Sequence, residues 1–159
     1  MAQKIRLVLL GLWIGAMSFF SFFVAPSAFA VLPSHQAGAV VSRTLAGLEV
    51  LGLALGVIIL MIALTAPSSR GKAKVFESLM LVLMIVAMAV SRFTVSARLH
   101  DIRTRLGETL AALPPTEPTR ATFDLLHQVS VGLMSFTLLA ALILGGLLIW
   151  SGRAAENRA

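Results

Sequence analysis

Ionisable side chains inside an apolar chain are the first candidates for chemistry. Glu49 lies about one turn inside an apolar stretch, and Arg92 lies near the end of another. Asp124, His127 and Ser130 follow one another at helical spacing, so they share one face of a helix. Such groups are costly in lipid unless they are paired or hydrated, and by default they mark a functional site. We expect all five to line one polar vestibule, in which Glu49 pairs with Arg92, with His127 as the competing partner. His127 is expected to form a hydrogen bond with Asp124 or a water molecule.

Two other interpretations of these residues stay open. The polar groups can serve structure alone, as salt bridges and hydrogen bonds that lock helix packing in a non-catalytic structural or trafficking subunit. His127 can instead ligate haem axially, or serve a quinone-linked redox protein, although a lone histidine is more often a hydrogen-bonded structural residue. The chain has no G-x-S-x-G, H-E-x-x-H or P-loop motif, so we expect neither an enzyme nor a cofactor.

A methionine stripe is the one weak candidate for a metal site. Met80, Met84 and Met88 lie one turn apart on one face, and thioethers suit Cu(I). Methionine more often fills irregular gaps in apolar packing. Because the chain contains no cysteine to join the stripe, we expect packing and not a metal.

Composition places these residues in a membrane protein. Of the 159 residues, 58% are hydrophobic and 13% are charged, with a mean hydropathy of +0.93. These values exclude a disordered chain and disfavour an ordinary soluble domain. The net charge of +6 comes from basic residues that flank apolar stretches, so anionic lipid headgroups are expected partners and nucleic acid is not. The lack of cysteine excludes disulfides, iron–sulfur ligation and thiol catalysis.

Hydropathy predicts an all-α fold, an integral membrane four-helix bundle that forms a single domain over residues 1–159. The predicted spans cover about 5–32, 45–64, 75–95 and 120–150. Residues 97–113 are predicted to form an amphipathic interfacial helix between the third and fourth spans. The first span resembles a signal peptide, with Ala28-Phe29-Ala30 as the cleavage site. Its apolar segment from Leu7 to Val24 exceeds the usual signal-peptide core of about 7–15 residues, so we expect it to be retained.

Small residues predict how the first two helices pack. Gly11 and Gly15 form a G-x-x-x-G pair in the first span, and Gly52 and Gly56 form another in the second. Such pairs let two helix backbones approach closely in lipid, so we expect the first two helices to pack on each other. Pro26 is predicted to kink or end the first helix.

Charge placement predicts the orientation. Arg70, Lys72 and Lys74 lie in the short turn between the second and third spans. By the positive-inside rule this turn is cytoplasmic, and four spans then place both termini there too. We expect a multi-pass protein of the cell membrane, which is the inner membrane in a Gram-negative cell. Its expected partners are the lipid bilayer, a small solute and further copies of the chain in a homo-oligomer. Trp13, Trp150 and the phenylalanines are expected to anchor the membrane interfaces, since the chain has no tyrosine.

Two segments resemble one known family. The first segment runs from Phe22 to Phe29 and contains Pro26, and the second runs from Phe123 to Ser130. A basic stretch from Ala97 to Arg103 precedes the second segment. Together they resemble the family of small four-helix membrane proteins typified by vertebrate transmembrane protein 205, which includes uncharacterised bacterial members.

The resemblance covers nearly the whole chain and implies a four-helix membrane bundle, with transport or trafficking as the usual suggestion. The residues that match its pattern are Pro26, Arg103, Phe123, His127 and Ser130. Ala97 stands where the family often has proline, and Met134 where it often has asparagine. Without that asparagine, the expected site is a shallow vestibule and not a channel that reaches the middle of the membrane.

Overall fold

The computed structural model describes residues 1–65 and 71–156, and its regular elements there are helices: α1 (Ala2–Val31), α2 (Ser34–Thr65), α3 (Gly71–Leu106), α4 (Thr109–Ala112) and α5 (Pro118–Glu156). By length and composition, α1, α2, α3 and α5 are each apolar enough to cross a membrane. The four predicted spans are therefore confirmed as helices, although α2 begins and α3 ends well outside the predicted bounds. Residues 66–70, which include Arg70 of the predicted turn, lie outside the described residues.

Two of the long helices contain a π-helical turn, at Phe20–Val24 in α1 and at Ser91–Val95 in α3. Pro26 lies in the first α-helical turn after the one in α1. Proline has no backbone N–H to donate to the carbonyl oxygen one turn earlier in the helix. The π turn lies in the turn that precedes Pro26, where this hydrogen bond is missing. The helix continues past Pro26 and ends at Val31, where Leu32 adopts an extended conformation before Pro33.

The predicted separate helix over 97–113 has the wrong bounds. Residues Ser96–Leu106 continue α3 without a break in the helix. The break comes at Gly107, whose φ of 51° suits glycine, and only the short α4 follows it. This extension of α3 packs against α5. Its position at a membrane surface stays a prediction.

The bundle is a ring of antiparallel neighbours, in which α1 and α3 each pack against α2 and α5. Trp13 of α1 lies at the centre of the core with no exposed surface, among side chains that include Leu10, Met17, Ile59 and Leu144. The predicted role of Trp13 as an interface anchor is therefore wrong. Trp150 is 71% exposed, as an anchor in contact with lipid requires.

The two glycine pairs do not meet. A Cβ atom on Gly52 would lie 2.9 Å from Trp13 Nε1, and one on Gly56 would lie 3.2 Å from the same ring. Gly11 and Gly15 are exposed, and a Cβ on either would meet nothing within 4 Å. The predicted packing of the first two helices on each other is confirmed, but α1 turns Trp13 and not its glycines towards α2.

The methionine stripe of α3 faces inward. Met84 and Met88 belong to the hydrophobic core, and Met80 is half-buried. Their neighbours in that core are apolar, which fits the packing interpretation of the stripe. Among the described residues, no group of three or more His, Cys, Asp or Glu side chains could hold a metal.

Candidate functional site

Glu49 is the most deeply buried ionisable residue among the described residues, with only 1% of its surface exposed. Its Oε1 atom accepts two hydrogen bonds, from Ser91 Oγ at 2.5 Å and from Ser96 Oγ at 2.8 Å. Its Oε2 atom is also buried but has no partner among the described residues. Buried polar groups are almost always hydrogen-bonded, so the two serines tie α2 to α3 at this level. We call Glu49, Ser91 and Ser96 the carboxylate clasp.

The π turn of α3 explains how two serines reach one oxygen atom. In a regular α-helix, residues five apart point in directions that differ by about 140°, because each residue turns the helix by about 100°. Ser91 and Ser96 are five apart, and the π turn Ser91–Val95 lies between them. A π turn bonds residue i to residue i+5 and so brings both hydroxyls to the same side. Single π turns are frequent at functional sites.

The predicted ion pair between Glu49 and Arg92 is not formed. Glu49 is bound by the two serines instead, and Arg92 has no hydrogen bond or ion pair among the described residues. Arg92 follows Ser91 directly, so when Ser91 faces Glu49 the next side chain points about 100° away. It lines a cavity on the other side of the clasp.

That cavity has a volume of about 750 Å³ and lies between the first part of α2 and the last part of α3. We call this end of the bundle, where α2 begins and α3 ends, the cavity end. The polar side chains that line it are His35, Ser42, Arg43, Arg92, Ser96, His100, Arg103 and Thr104. Arg43 and His100 are exposed at its mouth, whereas Ser96 belongs to the clasp at its inner wall. No acidic residue is among the described side chains that line it.

Arg103 builds one wall of the cavity. Its Nη1 atom donates to Gly38 O at 2.7 Å and to Ser42 Oγ, and its guanidinium lies 5.3 Å from the centre of the Phe123 ring. It thus joins α3 to α2 on one side and to α5 on the other. A Cβ on Gly38 would lie 3.1 Å from the guanidinium, so this approach depends on glycine. Arg103 is committed to holding the helices together.

The vestibule residues predicted on α5 are not brought to this cavity. Asp124 pairs with Arg120 of its own helix at 3.0 Å, and Arg120 also donates to Leu110 O at 3.1 Å. His127 is exposed, whereas Ser130 is buried. Of the five predicted residues, only Arg92 lines the cavity, and Glu49 reaches it through Ser96.

A family model described as a domain of unknown function (DUF4149) matches residues 8–107, which is more than half of the chain. The chain belongs to the DUF4149 family. It is also 35% identical over 103 residues to an uncharacterised protein of Aquifex aeolicus, a match that covers 65% of this chain and 73% of the relative. Neither match names the vertebrate family that the motifs resemble. No solved structure matches the chain significantly.

The part of this DUF4149 chain that matches the family model contains the whole cavity, whose lining runs from His35 to Gly107. It also contains all three residues of the carboxylate clasp. Phe123, Asp124, His127 and Ser130 lie beyond the matched residues. The cavity lining and the carboxylate clasp therefore both lie within the portion of the chain that matches the DUF4149 model.

Sequence reasoning missed the buried contacts of four polar residues, Ser91, Ser96, Arg6 and Glu77. Ser91 and Ser96 were hidden because helical spacing of 3.6 residues does not place them together. Arg6 of α1 and Glu77 of α3 form a largely buried ion pair, with side chains 11% and 14% exposed. This pair lies at the opposite end of the bundle, the termini end, where Gln3 also donates to Leu148 O. The sequence does indicate that Glu77 needs a partner, because its carboxylate lies just inside the third predicted span.

Proposed function

We propose that this membrane protein binds a small solute in the cavity between α2 and α3. The observation that carries the proposal is the cavity itself, about 750 Å³ in volume, with a mainly apolar surface and several polar side chains. Small-molecule sites are usually preformed concave pockets of about 300–1,000 Å³ with a few convergent polar groups. The vestibule thus keeps Arg92 from the sequence prediction, while Asp124, His127 and Ser130 take no part in it.

The carboxylate clasp supports a shallow site. Beyond Ser96 lies a gap lined by apolar side chains that include Leu48, Met88, Leu133 and Met134, with no room for a water molecule. The cavity therefore ends at the clasp. Translocation of a solute to the termini end requires the Glu49 contacts to open, whereas binding alone does not.

We also propose how the protein is oriented in the membrane. Lys72 and Lys74 lie at the start of α3 at the termini end, and a basic turn there favours a cytoplasmic position for both termini. The cavity then opens on the non-cytoplasmic side of the cell membrane. The resemblance to the family of vertebrate transmembrane protein 205 adds transport or trafficking as the class of activity.

Thermal unfolding of the detergent-purified protein tests solute binding. A panel of carboxylates, phosphates, amino acids, sugars and quaternary amines is compared for the original chain and for Ala46→Trp, which fills the cavity from its lining. Ala54→Trp is the control, because Ala54 is exposed on the same helix and does not line the cavity. We expect one class to raise the Tm of the original chain and of Ala54→Trp but not of Ala46→Trp. If no class raises the Tm, or the rise persists in Ala46→Trp, the proposal is wrong.

Flux measurements in proteoliposomes then separate binding from movement. The solute that stabilises the protein is loaded inside the vesicles, and its release is compared with that from protein-free vesicles. Release that Ala46→Trp abolishes identifies a transporter. Binding without release identifies a receptor or a carrier subunit.

A structural subunit is the second candidate, and a specific observation favours it. In the clasp and in the Arg6–Glu77 pair, buried ionisable side chains make their contacts with side chains of a neighbouring helix. Such contacts specify packing in lipid, where apolar side chains do not distinguish a neighbouring helix from a lipid tail. If no solute binds and the variants of these residues only change stability, this function becomes the better one.

A further inference from the structure

We infer that the cavity is an oxyanion site, and that its ligand carries a phosphate group bound by the guanidinium groups of Arg43 and Arg92. This inference rests on the proposed function and names the chemical class of its solute. It starts from the two arginines that line the cavity without a partner.

Arg43 and Arg92 come from different helices and line the same cavity. Within the described part of the chain, neither makes a hydrogen bond, an ion pair or a ring contact. Arg103 lines the cavity too, but Gly38, Ser42 and the Phe123 ring already occupy its guanidinium. Two cations are therefore available to a ligand.

The acidic residues of this region do not pair with Arg43 or Arg92. Glu49 accepts from two serines, Glu108 pairs with His35 at 3.2 Å, and Asp101 pairs with Arg105 at 2.9 Å. No described carboxylate is left to neutralise Arg43 or Arg92 across the cavity. Unpaired cations near lipid are unfavourable, so an anion from outside the chain completes the charge balance.

The donors select the type of anion. A guanidinium presents planar paired N–H groups that match two oxygens of a phosphate or carboxylate, and it is the preferred group for buried recognition of phosphate. Two guanidinium groups have to share the two oxygen atoms of a carboxylate, whereas a phosphate presents three or more oxygens and can offer each guanidinium its own pair or part of one. His100, which also lines the mouth, adds a further ring donor. A phosphate group satisfies this set best.

Two sources supply the same chemistry. A free phosphate or phosphomonoester can enter from water, and the phosphate of a lipid headgroup can enter sideways between α2 and α3. The phosphate contacts are the same in both cases, so one set of variants serves both arms of the test.

The variants are Arg43→Gln and Arg92→Gln, with Arg98→Gln as the matched control. Arg98 lies in the same stretch of α3, is exposed and does not line the cavity, so its substitution removes equal charge at the same end. Arg43→Lys keeps the charge but removes the paired donors. Because Arg43 and Arg92 have no partner among the described residues, these changes leave the helix contacts in place, and circular dichroism checks this.

In the first arm, sodium phosphate and glycerol phosphate are titrated against the protein in a maltoside detergent, with sodium chloride at equal ionic strength as reference. Thermal unfolding and calorimetry report binding. We expect saturable stabilisation by phosphate, an affinity about tenfold or more weaker in Arg43→Gln and Arg92→Gln, and no change in Arg98→Gln. Arg43→Lys should fall between the two.

In the second arm, native mass spectrometry measures retention of phosphatidylglycerol against diacylglycerol, which has the same chains without the phosphate. Retention of phosphatidylglycerol alone, lost in Arg43→Gln and Arg92→Gln but kept in Arg98→Gln, identifies a lipid headgroup as the source. Binding in the first arm alone identifies a free phosphate.

The inference is overturned if neither arm shows binding, or if Arg98→Gln weakens binding as much as the cavity variants do. Its failure is distinct from failure of the proposed function. If Ala46→Trp abolishes stabilisation by a neutral or cationic solute while phosphate and lipid do not bind, the cavity binds a solute of another class. If no solute of any class binds, both proposals fail together.

Discussion

Ser96 donates a hydrogen bond of 2.8 Å to Glu49 Oε1, and this single contact joins the inner wall of the cavity to the buried carboxylate. Ser96 lies directly after the π turn of α3, and Glu49 lies on the glycine face of α2. The bond therefore links the cavity, the helix irregularity and the packing of two long helices. Any movement that opens the cavity towards the termini end has to break it.

Removing either serine should destabilise the protein. Ser91→Ala and Ser96→Ala each remove a donor from a buried carboxylate, which costs about 1–3 kcal/mol because the charged acceptor stays buried. Ser135→Ala is the control, since Ser135 is exposed on α5 and its loss should change the free energy of unfolding by less than about 0.5 kcal/mol. Unfolding in mixed detergent measures all three variants. Equal stabilities would show that the clasp contributes nothing.

Gly52 should tolerate no side chain. Even a methyl group would lie 2.9 Å from Trp13 Nε1, so Gly52→Ala should destabilise by about 1–3 kcal/mol through overpacking. Gly52→Leu should disrupt the bundle more than Leu53→Ala does. Gly11→Ala is the matched control, because nothing lies within 4 Å of a Cβ there, and removal of a mid-helix glycine should stabilise by up to about 1 kcal/mol. Thermal unfolding that ranks Gly11→Ala below Gly52→Ala would contradict the observed packing.

The Arg6–Glu77 pair should behave as a coupled unit. Arg6→Gln or Glu77→Gln alone leaves a largely buried charge without a partner, at a cost of about 3–5 kcal/mol. The double variant removes both charges and should recover part of the loss. The exposed pair Asp101–Arg105, with side chains 55% and 74% exposed, is the control and should show coupling below about 1 kcal/mol. Additive losses at Arg6 and Glu77 in the double-mutant cycle would count against the pair.

Gly38→Ala should act on the cavity wall through Arg103. A Cβ there would lie 3.1 Å from the guanidinium, so the contact with Gly38 O should lengthen and the wall should shift. We expect lower thermal stability in Gly38→Ala, and little change in Gly47→Ala, where nothing lies within 4 Å of a Cβ on the same helix. An unchanged Tm in Gly38→Ala would mean that Arg103 does not depend on this close approach.

Cysteine labelling tests the orientation, because the chain has no native cysteine. Ala97→Cys lines the cavity and Lys72→Cys lies at the termini end. In intact cells, a membrane-impermeant maleimide should label Ala97→Cys, and it should label Lys72→Cys only after permeabilisation. Leu139→Cys is the control for lipid exposure, since Leu139 is 60% exposed on an apolar face, and it should resist labelling in both conditions. The reverse pattern at the first two positions would invert the topology.

The amino-acid sequence was sufficient to predict the four long helices and the inward position of Glu49. Both follow from local patterns: apolar length sets a span, and a glycine face one and two turns from Glu49 marks the packed side of α2. It also placed Arg92 at the non-cytoplasmic end of the third span, whereas the expected shallow depth of the site came from the family resemblance, in which Met134 replaces asparagine. The helices and the inward position of Glu49 depend on the spacing of residues along a single helix, and this spacing can be read from the sequence.

The contacts between side chains of different helices could not be predicted from the sequence and became known from the folded bundle. Successive side chains of a helix point about 100° apart, so a small change in helix rotation changes which side chain faces a neighbour. The π turn at Ser91–Val95 directs two serines, and not Arg92, towards Glu49. In the same way, α1 presents Trp13 to α2 and leaves Gly11 exposed. The apolar pattern of a membrane helix is nearly uniform around its circumference and does not fix that rotation. The rotation is set by the packing of all four long helices at once, and the partners of every buried polar group follow from it.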